Sequence, residues 1–262
     1  FCASVRADPD RPSGRVLLLD DLRHAYVDLA DPTHLEFQYT QLFGDVLDSI
    51  APSGRPLDAL HLGGGGFTMP RYLEATRPGS DSLVLELDPG VVAVAEDELG
   101  FRAGPELRVV TGDARNHVGN VSTDSVDVVI GDAFGGRAVP YHLTTREFTA
   151  EIARVLRPGG VLAQNIIDQP PLRFLRAEIA TLREVFAHVA VIAPPGRFDG
   201  TALGNTIVVA SDELVPVDAL RAEIAARDDD DVVISEPAEL DDLVGDSPVL
   251  TDDYAPVDQL LS

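Results

Sequence analysis

The residues best placed to do chemistry are a run of glycines and four acids that recur at the ends of apolar segments. Leu62-Gly63-Gly64-Gly65-Gly66-Phe67 follows the apolar run Ala59–Leu62. Glycines at such a bend let the backbone approach a ligand closely and take angles that a Cβ forbids, and the helix that follows opens with unpaired N–H groups. Glu86 and Asp88 close the next apolar run, where an acid accepts hydrogen bonds from the ribose hydroxyls of a bound nucleoside. Gly112-Asp113-Ala114 ends a third run, and its carboxylate either accepts from an exocyclic adenine amine or caps the helical turn Ala114–Val118. Gly131-Asp132-Ala133-Phe134 ends a fourth, where a carboxylate faces the reaction crevice of a parallel sheet. The spacing is not the dinucleotide fingerprint, since Thr68 and Met69 stand where a third glycine is required. The ordered set fits an adenosine ligand that lacks a pyrophosphate.

Positioning four such tips along one edge requires alternating strands and helices. The apolar patterns predict segments at Ala59–Leu62, Pro70–Ala75, Leu83–Leu87, Val91–Leu99, Leu107–Thr111, Val126–Ile130, Arg146–Leu156, Val161–Ile166, Leu172–Phe186, Val189–Ile192 and Thr206–Ala210. Short β-branched runs separated by helical stretches predict an α/β fold, a Rossmann-like doubly wound parallel sheet covered on both faces. Pro158-Gly159-Gly160 is expected to end a helix before the next strand. Upstream, Val16–Leu19 and Ala25–Leu29 predict a small β-hairpin, and Leu35–Ile50 an amphipathic helix. The expected division is residues 1–52 for hairpin and connecting helix and 53–262 for the nucleoside-binding domain.

Composition narrows the partners. The chain has 262 residues with 20 basic against 44 acidic side chains, a net charge of −24, and every basic residue is arginine. Phosphate binding draws on a cationic face, so nucleic acid is not expected, whereas a small cationic substrate is drawn toward such a field. The single cysteine, Cys2, excludes an internal disulfide framework. His34, His61, His117 and His188 show no metal-ligand spacing, so no metal is expected. The Asp228–Asp231 run reads as a solvated cluster at a helix end or loop. No apolar stretch is long enough to span a membrane. The chain opens with Phe1 and carries one methionine, Met69, which leads us to expect missing upstream sequence.

Taken together these residues resemble the spermidine synthases, or polyamine aminopropyltransferases, within the class I AdoMet-dependent methyltransferase fold. The resemblance runs over Leu19-Asp20, Glu36-Phe37-Gln38-Tyr39, Gly63–Gly66, Glu86-Leu87-Asp88, Gly112-Asp113-Ala114, Asp132, Leu156-Arg157-Pro158-Gly159-Gly160 and the closing Leu250–Val257. It implies that decarboxylated AdoMet, or AdoMet in methyltransferase relatives, is held by Gly63, Gly64, Gly65, Glu86, Asp88, Asp113, Ala114 and Asp132. Departures are equally specific. The second aspartate that the synthases carry in the segment after the fourth strand is absent, the segment reading Asp132-Ala133-Phe134-Gly135-Gly136. The family's Tyr-His-Glu becomes Tyr39-Thr40-Gln41, its hairpin glutamine becomes His24, and the glutamine after Pro-Gly-Gly becomes Asn165 unless Gln164 takes its place.

The expected function is therefore transfer of an aminopropyl group to a small cationic amine such as putrescine. Asp132 is expected to take the proton of the attacking amine, or else to be a hydrogen-bonded acid that only fixes the loop. Tyr39, Tyr141, His142 and Asn165 are the expected acceptor contacts, with Arg137–Thr145 as a gate over the crevice. An AdoMet-dependent methyltransferase and a catalytically silent ligand-binding domain remain the alternatives. The resemblance further implies a homodimer and a cytoplasmic location, as the soluble part of a protein tethered by an upstream membrane region.

Overall fold

The computed structural model describes residues 2–135, 138–227 and 229–262. The chain opens with strands β1 (Ala3–Ala7), β2 (Gly14–Leu19) and β3 (Leu22–Asp28), which form an antiparallel sheet in that order. Helix α1 (Gln38–Ile50) follows, then β4 (Ala59–Leu62), α2 (Thr68–Thr76), β5 (Ser82–Glu86), α3 (Pro89–Glu98), β6 (Leu107–Thr111), α4 (Ala114–Val118) and β7 (Val126–Gly131). After a 3-10 turn at Tyr141–Leu143 come α5 (Arg146–Val155), β8 (Leu156–Asp168), α6 (Arg173–Arg183), β9 (His188–Ala193) and α7 (Pro195–Phe198). The chain closes with β10 (Gly204–Ser211), α8 (Val217–Ala226), β11 (Val232–Ile234), α9 (Pro237–Val244) and α10 (Val257–Leu260).

The main sheet has the order β11-β9-β10-β8-β7-β4-β5-β6. From β6 to β8 the pairings are parallel, as the apolar runs predict. The other edge corrects that expectation, because β10 runs antiparallel to both β8 and β9, and β11 antiparallel to β9. A continuous apolar run marks a strand buried on both faces but carries no direction, so the sequence pattern could not separate the two halves. Apolar side chains of α5, α6 and α9 cover one face, and those of α1, α2 and α8 cover the other. The N-terminal sheet is three-stranded rather than a hairpin, and Leu17, Ala25 and Val27 pack with Phe67, Ala95, Leu99 and Phe101.

Local corrections have local causes. Helix α1 starts at Gln38 rather than Leu35, since Phe37 is extended and its ring lies beside those of Tyr26 and Tyr39. Pro158-Gly159-Gly160 does not separate helix from strand. α5 ends at Val155, and β8 runs straight through the tripeptide, with Leu156 opposite Val126 and Val161 opposite Val128. The three residues are taken up as a bulge, with Gly159 at φ +76°. Asp231 is buried rather than solvated, because its two oxygens accept from the Gln38 Nε2 at 3.0 and 3.1 Å. Asp228 of that run lies outside the described residues.

One buried acid sits between sheet and helix. Glu178 on α6 is 1 % exposed and accepts from the Gln164 Nε2 of β8 at 2.9 Å, while its second oxygen has no partner among the described residues. Burial pushes its carboxyl up to about 8, against which the Gln164 bond acts only weakly. Between the ordinary value near 4.5 and about 8 the folded chain holds a proton that the unfolded chain has lost. Stability therefore falls as pH rises through that window, by roughly 1.4 kcal/mol per pH unit at most. Glu178→Gln keeps the shape and the hydrogen bond without the titration. Urea unfolding at pH 5 and pH 8 is expected to show a smaller loss between the two for Glu178→Gln than for the native chain.

Candidate functional site

In the parallel half, β4 is flanked by β5 on one side and β7 on the other, so consecutive crossovers run outward in opposite directions from it. Loops at the carboxyl ends of β4 and β7 part there and leave a crevice. Four of the sequence-identified tips, Gly63–Gly65, Glu86, Asp113 and Asp132, line that edge. The crevice has two chambers that share His24, Asp132 and Phe134. One, of about 90 Å³, is bounded by Gly63, Gly65, Glu86, Asp88, Asp113, Ala114 and His142. The other, of about 820 Å³, is bounded by Arg23, Glu36, Phe37, Tyr39, Asn165, Asp168 and Asn205 among others.

The glycine bend is dictated by what surrounds it. Gly63 has φ +90°, and a Cβ there would come within 2.5 Å of the Asp132 carbonyl oxygen. Gly65 has φ +50° and faces His24. Gly66 turns the other way, against Ala25 and Val27 of the N-terminal sheet. Phe67, at φ +57°, then stacks on Phe101 at 3.8 Å and starts α2. The Glu86 carboxylate accepts from the Gly64 N–H at 2.6 Å, from the Gly65 N–H at 3.3 Å and, through its other oxygen, from the Asp88 N–H at 2.9 Å. Glu86 thus faces the bend from the neighbouring strand. Asp88 caps α3 through the Gly90 N–H at 2.7 Å and still reaches the chamber wall.

Asp113 fills the cap, one of the two roles left open by the sequence, with one oxygen to spare. One oxygen caps α4 through the Arg115 N–H at 2.8 Å, and the other lies 2.8 Å from the His142 Nε2. His142 is held over the chamber by the clamp behind it. The Arg115 guanidinium donates to the His142 carbonyl at 3.0 Å, to the Thr145 hydroxyl at 2.9 Å and to Asp252 at 2.5 Å, while Thr145 donates to Asp252 at 2.7 Å. Tyr141 is a correction. It is 59 % exposed and borders a separate outer groove with Tyr254, its ring edge-on to that of His142 at 5.3 Å, while His142 lines the chamber. Gly136 and Arg137, at the start of the expected gate, lie outside the described residues.

Asp132 sits where the chambers meet. The Asn165 Nδ2 donates to it at 2.9 Å, and the Asn205 Nδ2 donates in turn to the Asn165 Oδ1 at 2.9 Å. Burial pushes the Asp132 carboxyl above the ordinary carboxylate range. Against this act the Asn165 amide, the positive charge of His24 when protonated, and the Tyr39 hydroxyl. Burial and the Asp132 charge push the Tyr39 hydroxyl well above its ordinary value, so it stays a protonated donor toward the carboxylate. Sequence reasoning missed Asp168, Asn205 and Phe134 as lining residues. Asp168 accepts from the Gln169 and Leu175 N–H groups at 2.6 and 3.0 Å, an N-terminal helix contact that no motif marks. Asn205 belongs to the antiparallel strand that the pattern left undirected. Among the described residues no three of His, Cys, Asp and Glu gather as a metal-binding group, and no helix is long and apolar enough to cross a membrane.

A family model described as a methyltransferase domain matches residues 60–164, the stretch from β4 to the middle of β8. A polyamine aminopropyltransferase of Vibrio vulnificus is 36 % identical over 134 residues, covering 50 % of this chain and 44 % of that protein. A probable spermidine synthase of Corynebacterium glutamicum superimposes with a TM-score of 0.86 at 27 % identity, over 95 % of this chain and 92 % of that one. The chain is spermidine-synthase-like, on a class I methyltransferase fold. A spermidine synthase solved with the transition-state analogue AdoDATO shares the fold at TM-score 0.61 and 17 % identity, over 97 % and 79 % of the two chains. The chain spans about half the length of the curated relatives it matches.

In this spermidine-synthase-like crevice the Asn165 bond holds the Asp132 carboxyl down against burial, so removing it acts in one direction. In a carboxyl ¹³C NMR titration, the resonance lost in Asp132→Asn is expected to titrate above the usual carboxylate range, and higher still in Asn165→Ala. A second expectation concerns His142, which covers the oxygen of Asp113 that the cap leaves over. His142→Ala is expected to speed association of methylthioadenosine in a stopped-flow binding experiment.

Proposed function

We propose that the crevice transfers a group from an adenosine sulfonium, decarboxylated AdoMet in the first instance, to a small amine acceptor. The narrow chamber is the nucleoside side and the large one the acceptor side. The observation that carries this reading is Asp132, a half-buried carboxylate at the junction with one oxygen on an amide and a tyrosine hydroxyl beside it. The residues fit such a nucleoside. Gly63 and Gly65 leave the floor bare of side chains, Leu85 and Val91 give apolar wall, and Glu86 and Asp113 offer acceptors at two separate strand tips. Glu86 stands ready for ribose hydroxyls at the edge of the bend. An adenine amine at Asp113 takes the oxygen that His142 now covers, so the 138–145 loop moves outward on binding.

When bound, decarboxylated AdoMet supplies a sulfonium whose adjacent carbon is open to a nucleophile. The amine nitrogen forms its bond to that carbon as the carbon–sulfur bond breaks, the electron pair stays on sulfur, and the amine proton passes to Asp132. The chain's main contribution is alignment of two reactants across one junction, worth up to roughly 7–11 kcal/mol in favourable cases. Asn165 and Tyr39 aim the carboxylate, and the apolar Phe134 shields the junction. The second aspartate found in the synthases has Gly135 in its place, so proton acceptance rests on Asp132 alone.

Putrescine and its carboxylated analogue, each with decarboxylated AdoMet or AdoMet, test the reading by mass spectrometry of product and of methylthioadenosine or S-adenosylhomocysteine. An aminopropylated amine with release of methylthioadenosine supports it. A methylated product with AdoMet favours the methyltransferase alternative, and ligand binding without any product favours a silent domain. Asp132→Asn is expected to lower turnover by about 10²-fold or more while nucleoside binding survives, the range that general-base groups supply.

A further inference from the structure

The large chamber is a mixed-charge site, although the chain carries a net charge of −24 and no lysine. Its deep end offers Asp132 as an acceptor. The other two acids in its wall are engaged elsewhere. Asp168 has one oxygen on the Gln169 N–H and the other on the Leu175 N–H in the first turn of α6, and Glu36 is turned to the His34 ring at 3.1 Å. Asp132, which accepts from Asn165 and Tyr39, is thus the acid of this wall that also borders the nucleoside chamber.

The mouth carries the opposite sign. Arg23, near the start of β3, lines the chamber with its guanidinium carbon 4.9 Å from the centre of the Phe37 ring. Stacking on an aromatic face fixes the plane of the fork and leaves its N–H edge open to a partner. Arg11, Arg77, Arg115, Arg157 and Arg227 each pair with a carboxylate. Arg23 has no such pair among the described residues. Its neighbour His24 lies at the junction with the nucleoside chamber. The same lining includes Phe37, Phe134, Leu203 and Asn205, apolar and amide side chains that suit a short methylene chain.

We propose that the acceptor is a zwitterion, presenting an amine to Asp132 and a carboxylate to the Arg23 guanidinium. The inference rests on the transfer reading above and adds the class of acceptor. A planar guanidinium matches a carboxylate with two parallel hydrogen bonds and gains nothing from an ammonium group. Arg23 is thus a specificity residue, and the synthases' second aspartate is not needed by a substrate that has its own anion where a diamine has a hydrogen.

Putrescine and 2,5-diaminopentanoate differ by one carboxylate and provide the matched pair. Each is titrated by calorimetry into the native chain, Arg23→Gln and Arg23→Lys, all saturated with methylthioadenosine. The carboxylated amine is expected to bind the native chain about ten- to hundredfold more tightly, the range of a charge-assisted pair. Arg23→Gln is expected to remove that ratio, and Arg23→Lys to keep part of it. Equal affinities, tighter putrescine, no binding of either, or a ratio that survives Arg23→Gln overturns the inference. A preference for the carboxylated amine without group transfer overturns the transfer reading and leaves Arg23 as the residue that selects a carboxylated amine as ligand.

Discussion

The bond between the Glu86 carboxylate and the Gly64 N–H sets the rest of the crevice. It ties the tip of β5 to the bend after β4, on one side of the point between β4 and β7 where the order of the strands reverses. The bend can meet that carboxylate only with positive φ at Gly63, since a Cβ there would strike the Asp132 carbonyl of the third participating strand tip. One acid, one bare backbone position and one carbonyl thus lock three strand ends together. The burial of Phe67 on Phe101 and the seat of the N-terminal sheet on Gly66 follow from the same bend. The socket and the small sheet that roofs it are therefore one construction in physical terms, and neither can be altered without the other.

The two chambers differ in how they are held. The narrow one is shut by a histidine whose backbone is fixed through Arg115 to Asp252, near the end of the chain in sequence but beside α4 in space. The wide one is framed by segments from β3, α1, β8 and β10, which other parts of the core hold in place. The result is a junction between a chamber closed by a clamped loop and a chamber framed by core segments, with Asp132 in the wall of both.

Most of the parallel half was legible, because a strand buried on both faces followed by a glycine or acid leaves a mark in one sequence. Glu86 facing the bend and Asp132 at the junction could be read in that way. What could not be read has a common cause: it depends on pairing between distant segments. The antiparallel edge needs the direction of β10, and Asn205 enters the site only through that direction. Tyr141 and His142 are adjacent, so no property of either residue says which one the 3-10 turn sends inward. Asp231 reads as one of a charged run, and only the approach of Gln38 makes it a buried acceptor. The Pro158–Gly160 tripeptide carries the residues of a helix stop, and the next turn of chain used them differently.

That tripeptide has an effect at a distance. Side chains alternate along β8, so Gln164 meets the buried Glu178 on one face while Asn165 meets Asp132 on the other. The bulge takes up three residues and decides which of the two amides falls on which side. Adding or deleting one residue there would trade them, leaving the core acid without its donor and the junction with the wrong side chain. A stretch that looks like a tolerant surface corner is the indexing notch for chemistry several residues further along the strand.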